Sequence, residues 1–204
     1  MTTTKNIHSS LYQLRALMPR RSLRRSEAFR LAELQANHVL AQAGIHGAGT
    51  PDVLVTGLPF MEVRLIRNLP GGASGVTQWR KPRWIVLLNK DEPALRRRFS
   101  LWHEFKHIID HEGVDRMYRG FTHREVEIVA DYFAACVLMP RRFVKRLFGQ
   151  GHQDAGELAA MFGVSEVAMR RRLKDLGLAG TTRYERCARP IVYQTSRPVW
   201  ATAA

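Results

Sequence analysis

The sequence predicts an α+β protein: a small three-stranded antiparallel sheet packed on a helical core that carries an HExxH motif, with a C-terminal helix-turn-helix-like helix pair. Three observations carry this reading. Apolar residues recur at helical spacing on both sides of one stretch, residues 63–88, where they alternate instead. Turn residues bound three short runs within that stretch. The order is helix, small sheet, then helices, which segregates the two element types along the chain.

Elements follow in order. From Ser22 to Leu40, Phe29, Leu31, Leu34, Val39 and Leu40 mark one helix, and Gly44 with Gly47-Ala-Gly-Thr-Pro51 ends it. Residues 1–20 carry no clear pattern and are expected to be poorly ordered, and 52–59 read as loop or short helix. Val63 and Leu65 alternate with Glu62 and Arg64, as in a half-buried strand. Pro70 to Gly75 turns the chain into Val76–Trp79, and Arg80-Lys-Pro82 turns it into Trp84–Leu88. Short turns imply an antiparallel meander. Glu92–His111 is a helix closed by Gly113. Arg124–Phe148 is a second, interrupted near Met139-Pro140 because proline disfavours helix at the residue before it. Ala155–Phe162 and Glu166–Leu176 are shorter helices, and the tail from Ala179 reads as irregular. The expected units are an N-terminal segment with one helix (1–50), a core (51–149), the helix pair (150–178) and the tail (179–204).

At 204 residues, 45% hydrophobic and 25% charged, the chain can bury a core without covalent staples. Cys136 and Cys187 form no CxxC pair, which excludes a disulfide framework and a cysteine-rich zinc site. The first residues lack an apolar signal-peptide core, and the longest apolar runs fall far short of a membrane span. The expectation is a cytoplasmic protein with no membrane partner. Basic residues number 32 against 18 acidic, a formal charge of +14. That excess suits a polyanion. It equally suits an arginine bias of composition, since Lys occurs only at 5, 81, 90, 106, 145 and 174.

His103-Glu104-Phe-Lys-His107 places two imidazoles one turn apart on a helical face, where both can reach one Zn²⁺. Glu104 follows the first ligand and can serve as general base towards a water at the metal. A catalytic zinc needs a third protein ligand and an open position. His111 lies about 12 Å in rise from His103, too far to share the ion with it and His107. It suits instead the helix C-terminus, as a cation against the dipole, or a supporting donor to the site. Glu127 and Asp131, as ExxxD on the next helix, offer a third ligand and an acceptor for the free ring N–H of a ligand histidine. Tyr118, His123 and Tyr132 are candidate donors to an oxyanion. Trp84–Leu88 directly precedes the metal helix and, as a sheet edge, could pair with an extended substrate segment.

HEFKHIIDH followed by EIVADYFAACVLMP resembles the ImmA/IrrE family of zinc metallopeptidases. That pattern is HExxH, then ExxA(N/D)xFAxxLLMP about twenty residues on. Glu127, Ala130, Asp131, Phe133, Ala134, Leu138, Met139 and Pro140 match it, whereas Asp131 replaces the commoner Asn and Val137 the first Leu. The resemblance covers about residues 60–177. It implies a zincin-like core over 51–149, one Zn²⁺ per chain on His103, His107 and Glu127, and cleavage of a helix-turn-helix repressor of mobile-element immunity or stress response.

Glu157–Leu173 also reads as a helix-turn-helix, with Gly163 at the turn and Leu158, Phe162, Val164, Met169 and Leu173 between the helices. Arg170, Arg171, Arg172 and Lys174 could face phosphate or a protein partner. Glu166 and Val167, where bases would be read, are poor donors. A docking or scaffold role, with weak non-specific DNA contact, is therefore expected over operator binding. The competing reading is a DNA-binding or protein-binding regulator whose metal site is structural or inactive. Glu104 separates the two, because a structural site needs no base beside its ligand. A zinc hydrolase of non-peptide amides is a third reading.

Overall fold

The computed structural model describes residues 11–178, so the expectations for residues 1–10 and for the tail from Ala179, Cys187 included, lie outside it. Among the described residues the protein is α+β, with a three-stranded sheet and helices α1 (11–16), α2 (Arg25–Gln42), α3 (Val53–Thr56), α4 (Ala94–Asp110), α5 (Val114–Met117), α6 (His123–Leu138), α7 (Arg141–Gly149), α8 (Ala155–Phe162) and α9 (Glu166–Asp175). No helix among them is long and apolar enough to cross a membrane.

The strands are β1 (Met61–Ile66), β2 (Gly75–Arg80) and β3 (Arg83–Asn89), in the order β1-β3-β2. The expected antiparallel meander is corrected here. β2 pairs antiparallel to β3, but β1 pairs parallel to it, Met61 opposite Trp84 and Ile66 opposite Asn89. Only β2 and β3 are joined by a tight turn. The longer connection 67–74, with a 3₁₀ turn at Pro70–Gly72, carries the chain past the end of β3, where Asn89 N–H donates to the Ser74 carbonyl. β3 is therefore central and cannot accept a further strand. Among the described residues the open edges are β1 and β2. Along β3, Trp84, Val86 and Leu88 are buried in alternation, the pattern of one face packed under a helix. That helix is α4.

α4 and α6 form the core of the molecule. Leu101, Trp102, Phe105, Ile108 and Ile109 from α4 and Val129, Phe133, Ala134 and Val137 from α6 are buried in one cluster. Thr122 caps α6, its hydroxyl accepting from the Glu125 N–H while Glu125 Oε2 accepts from the Thr122 N–H. α6 ends before Pro140, where the sequence placed a break, and α7 continues beyond it as a separate helix.

The N-terminal region holds two helices where one was expected, and both belong to the core. α2 packs along α6 through Ala28, Ala32 and Ala36, all fully buried, and Phe29 meets Tyr132 edge to face at 5.1 Å. α1 buries Leu11 and Leu14. Arg15, on the same helix, donates to the carbonyls of Ile108 (2.9 Å) and Ile109 (3.3 Å) and pairs with Glu112. It thus satisfies the carbonyls left open at the C-terminus of α4. The sequence offered His111 for that position. Burial, and then the charge of Arg15, lower the pKa of His111, and its ring packs on Trp84 at 4.8 Å.

On the face of α4 away from the sheet, Lys106 Nζ donates to both oxygens of Asp110 (2.6 Å) and to Gln35 Oε1 (2.8 Å), and Tyr118 donates to Asp110 Oδ2 (2.6 Å). Lys106 and Asp110 are 1% and 4% exposed. Burial lowers the Lys106 pKa, against the pull of Asp110. Removing one member of such a pair strands the other charge in the interior. Asp110→Ala is therefore expected to lose about 3–5 kcal/mol of unfolding free energy in a urea titration, and Lys106→Met with Asp110→Leu far less. Equal losses in the two variants would contradict this.

Candidate metal centre

His103 and His107 lie one turn apart on α4, and Glu127 faces them from α6. The ligand atoms of these three residues all fall within 4.8 Å of one another. His103 Nε2 is 3.1 Å from His107 Nε2 and 3.2 Å from Glu127 Oε2, and His107 Nε2 is 3.5 Å from Glu127 Oε1. Zinc bonded to each at about 2.0–2.1 Å in a tetrahedron would set its ligand atoms about 3.3 Å apart. The donor set and its spacing therefore fit a zinc-sized ion held by three protein atoms.

Asp131 sits one turn beyond Glu127, with Oδ1 2.8 Å from His103 Nδ1. A proton on Nδ1 directed at Asp131 leaves the Nε2 lone pair facing the cluster. Burial opposes charge on His103, but the hydrogen bonds to Asp131 and Glu127 outweigh it and raise its pKa to about 10. Burial would raise Glu127, but the hydrogen bond to His103, with the positive charge of that ring, brings it down to about 2. Burial, and then the neighbouring His103 charge, lower His107. Without metal the cluster thus holds a carboxylate, one imidazolium and one neutral imidazole.

Glu104 is 7% exposed and turns towards the sheet, where its Oε2 accepts a 2.6 Å hydrogen bond from Thr77 Oγ1 on β2. It is not among the residues whose ligand atoms converge. β2, an open edge, runs beside α4 and therefore beside the site. Trp84–Leu88, in the central strand, is not the sheet edge that the sequence suggested.

The structure separates the three oxyanion candidates. Tyr118 is buried in the Lys106–Asp110 network, and burial raises its pKa strongly. Tyr132 faces α2, its hydroxyl 3.4 Å from Glu33 Oε2. Neither borders the cluster, because alternate faces of a helix diverge and both side chains serve core contacts. His123 does border it, with Nε2 3.6 Å from Glu127 Oε1 and a side chain 39% exposed. Thr77 and Gly75 went unnoticed in the sequence. Gly75 was read as the end of a turn, whereas it opens β2, and nothing local said that the Thr77 face of the strand met Glu104.

Among the helix-pair cations, Arg172 is corrected. It is 1% exposed, donates through Nε to the Met139 carbonyl at 3.0 Å, and lies over Tyr132 at 5.6 Å. It anchors α9 to the end of α6 and cannot face phosphate. Arg170, Arg171 and Lys174 are exposed, and Arg170 pairs with Glu166. Gly163, at φ 62°, makes the left-handed turn between α8 and α9, and Leu158, Phe162, Val164, Met169 and Leu173 are buried as expected. Arg98 on α4 donates to the carbonyls of Phe162 (2.9 Å) and Gly163 (2.6 Å), which ties that turn to the metal helix.

An HExxH helix under a small sheet, with a glutamate from the following helix, defines the architecture of a metallopeptidase-like domain. Residues 62–174 match the Peptidase_M78 family, described as an IrrE N-terminal-like domain, and the chain belongs to that family. Among solved structures, a Mycobacterium tuberculosis transcriptional regulator shares the fold, with a TM-score of 0.55 and 19% identity over 70% of this chain. The chain spans 55% of that protein's length. No curated protein matches the sequence.

The geometry fixes what metal titrations should give. His103→Ala and His107→Ala should abolish stoichiometric zinc, Glu127→Ala should weaken it, and His111→Ala should retain it. Because the hydrogen bonds to Asp131 and Glu127 favour the doubly protonated His103 ring, pushing its pKa up to about 10, zinc must displace the proton on Nε2. Uptake at about pH 6, below the ionisation of a zinc-bound water near 7, should release about one proton per zinc, and affinity should rise with pH. Calorimetry in buffers of differing ionisation enthalpy reads that number, and zinc uptake without proton release would contradict the His103 assignment.

Proposed function

We propose that the chain is a zinc-dependent endopeptidase. The observation that carries this reading is Glu104: a carboxylate beside, but outside, a three-residue ligand set. A structural site uses four protein ligands and needs no such neighbour. Bound zinc would supply Lewis acidity, which acidifies a coordinated water and polarises a carbonyl. The remaining roles belong to this chain's residues. His103, His107 and Glu127 hold the ion, and Asp131 fixes the His103 ring. Glu104 takes a proton from the attacking water and returns it to the departing amine. β2, through its open edge, offers main-chain donors and acceptors to an extended peptide. His123, at the rim, is the donor best placed to meet charge developing on the peptide oxygen.

The substrate is a protein, and the family resemblance points to a helix-turn-helix repressor whose cleavage relieves repression. A second reading is a transcriptional regulator acting by binding, and the name of the Mycobacterium tuberculosis neighbour favours it. The burial of Arg172 weighs against α9 as a DNA-reading helix. The same reasoning leaves only a weak, salt-sensitive contact with DNA through Arg170, Arg171 and Lys174.

Glu104→Gln tests the proposal. The variant should fold, keep its zinc and bind a helix-turn-helix repressor that the wild type cuts, while its cleavage falls by about 10²–10⁴. Relief of repression by Glu104→Gln at the wild-type level, with no cleaved product in either protein, would leave binding as the function.

A further inference from the structure

We infer that Gly75 and Thr77 on β2 form a seat that positions the Glu104 carboxylate, with Thr77 as its hydrogen-bond donor. The inference rests on the metallopeptidase reading. Thr77 Oγ1 donates to Glu104 Oε2 at 2.6 Å, across the gap between β2 and α4. Gly75 lies two residues earlier, on the same face of the strand. A Cβ added there would sit 2.9 Å from both Cγ and Oε1 of Glu104 and 3.3 Å from its Cδ. Contacts that close cannot persist, so the carboxylate would have to move. Gly75 is not in the left-handed region of backbone space. Its backbone therefore does not require glycine, whereas the Glu104 side chain does.

The seat is anchored. Gly75 pairs with Leu88 and Thr77 with Val86, and both partners are buried under α4. A glutamate side chain otherwise samples several rotamers, and ordering it costs entropy. Thr77, β-branched on a strand, is itself restricted at χ1. Its hydroxyl occupies Oε2 and leaves Oε1 as the oxygen that can receive a proton. The seat thus selects both the rotamer of the base and the oxygen that acts.

A purely structural tie between strand and helix would make the same contact, so the test must separate the two. Thr77→Val keeps the β-branch and removes the donor, Thr77→Ser keeps the donor, and Gly75→Ala moves the carboxylate. In full-length zinc-loaded protein labelled with ¹³C-glutamate, the Glu104 Cδ resonance is assigned by its loss in Glu104→Gln. It should shift in Thr77→Val and in Gly75→Ala and return in Thr77→Ser, with the fold and the zinc content retained. Against a helix-turn-helix repressor that the wild type cuts, Thr77→Val should lower kcat by about tenfold, the scale of one hydrogen bond, with KM within about twofold. Thr77→Ser should recover most of that rate. An unmoved resonance and an unchanged kcat in Thr77→Val would overturn the seat. Loss of cleavage in Glu104→Gln alongside wild-type cleavage in Thr77→Val refutes the seat alone. Wild-type cleavage by Glu104→Gln refutes the peptidase reading instead, and the resonance still decides whether the seat exists.

Discussion

The close apposition of α4 and α6 is the constraint on which the rest depends. Two imidazoles from one helix and a carboxylate from the next must meet within a few tenths of an ångström of a metal's coordination distances. Side chains alone cannot provide that, because each has several rotamers to choose from. The helices meet through Phe105 and Phe133, and the His103–Asp131 hydrogen bond joins them beside the ligands. Asp131 orients the ring while Glu127, one turn earlier on the same helix, completes the ligand set.

Other elements hold that pair in place. α2 covers α6 from behind, α1 and Arg15 close the end of α4, and the buried Lys106–Asp110 pair lies on the opposite side of α4 from the sheet. Arg98 and Arg172 each fasten the α8–α9 pair to the core, the first through the turn at Gly163 and the second through the carbonyl of Met139. The helix pair is thus pinned to the core at both its turn and its second helix. Of the cations on α9, that withdraws Arg172 from the surface and leaves Arg170, Arg171 and Lys174 exposed.

Much of the site was legible because its signals are local. HExxH and ExxxD each encode a face of one helix, and the next residue after a ligand can only be its neighbour. The break before Pro140 and the turn at Gly163 follow from backbone sterics of single residues. What stayed hidden depends on tertiary placement. The parallel pairing of β1 with β3 is decided by where the 67–74 connection runs. Arg172 reads like its exposed neighbours until α9 is laid against Tyr132 and Met139. Tyr118 and Tyr132 are close to the motifs in sequence but point to other faces of the core. The structural role of residues 11–16 rests on Leu11 and Leu14, too short a pattern to register.

The central claim is a metal centre with three protein ligands and a position left for substrate chemistry. X-ray absorption at the zinc edge of the purified, loaded protein tests it most directly. The account predicts two imidazole nitrogens with light oxygen ligands at about 2.0–2.1 Å, and no sulfur. A third imidazole, as His123 would provide, or a sulfur at about 2.3 Å would mean that the protein closes the coordination shell, and would contradict it.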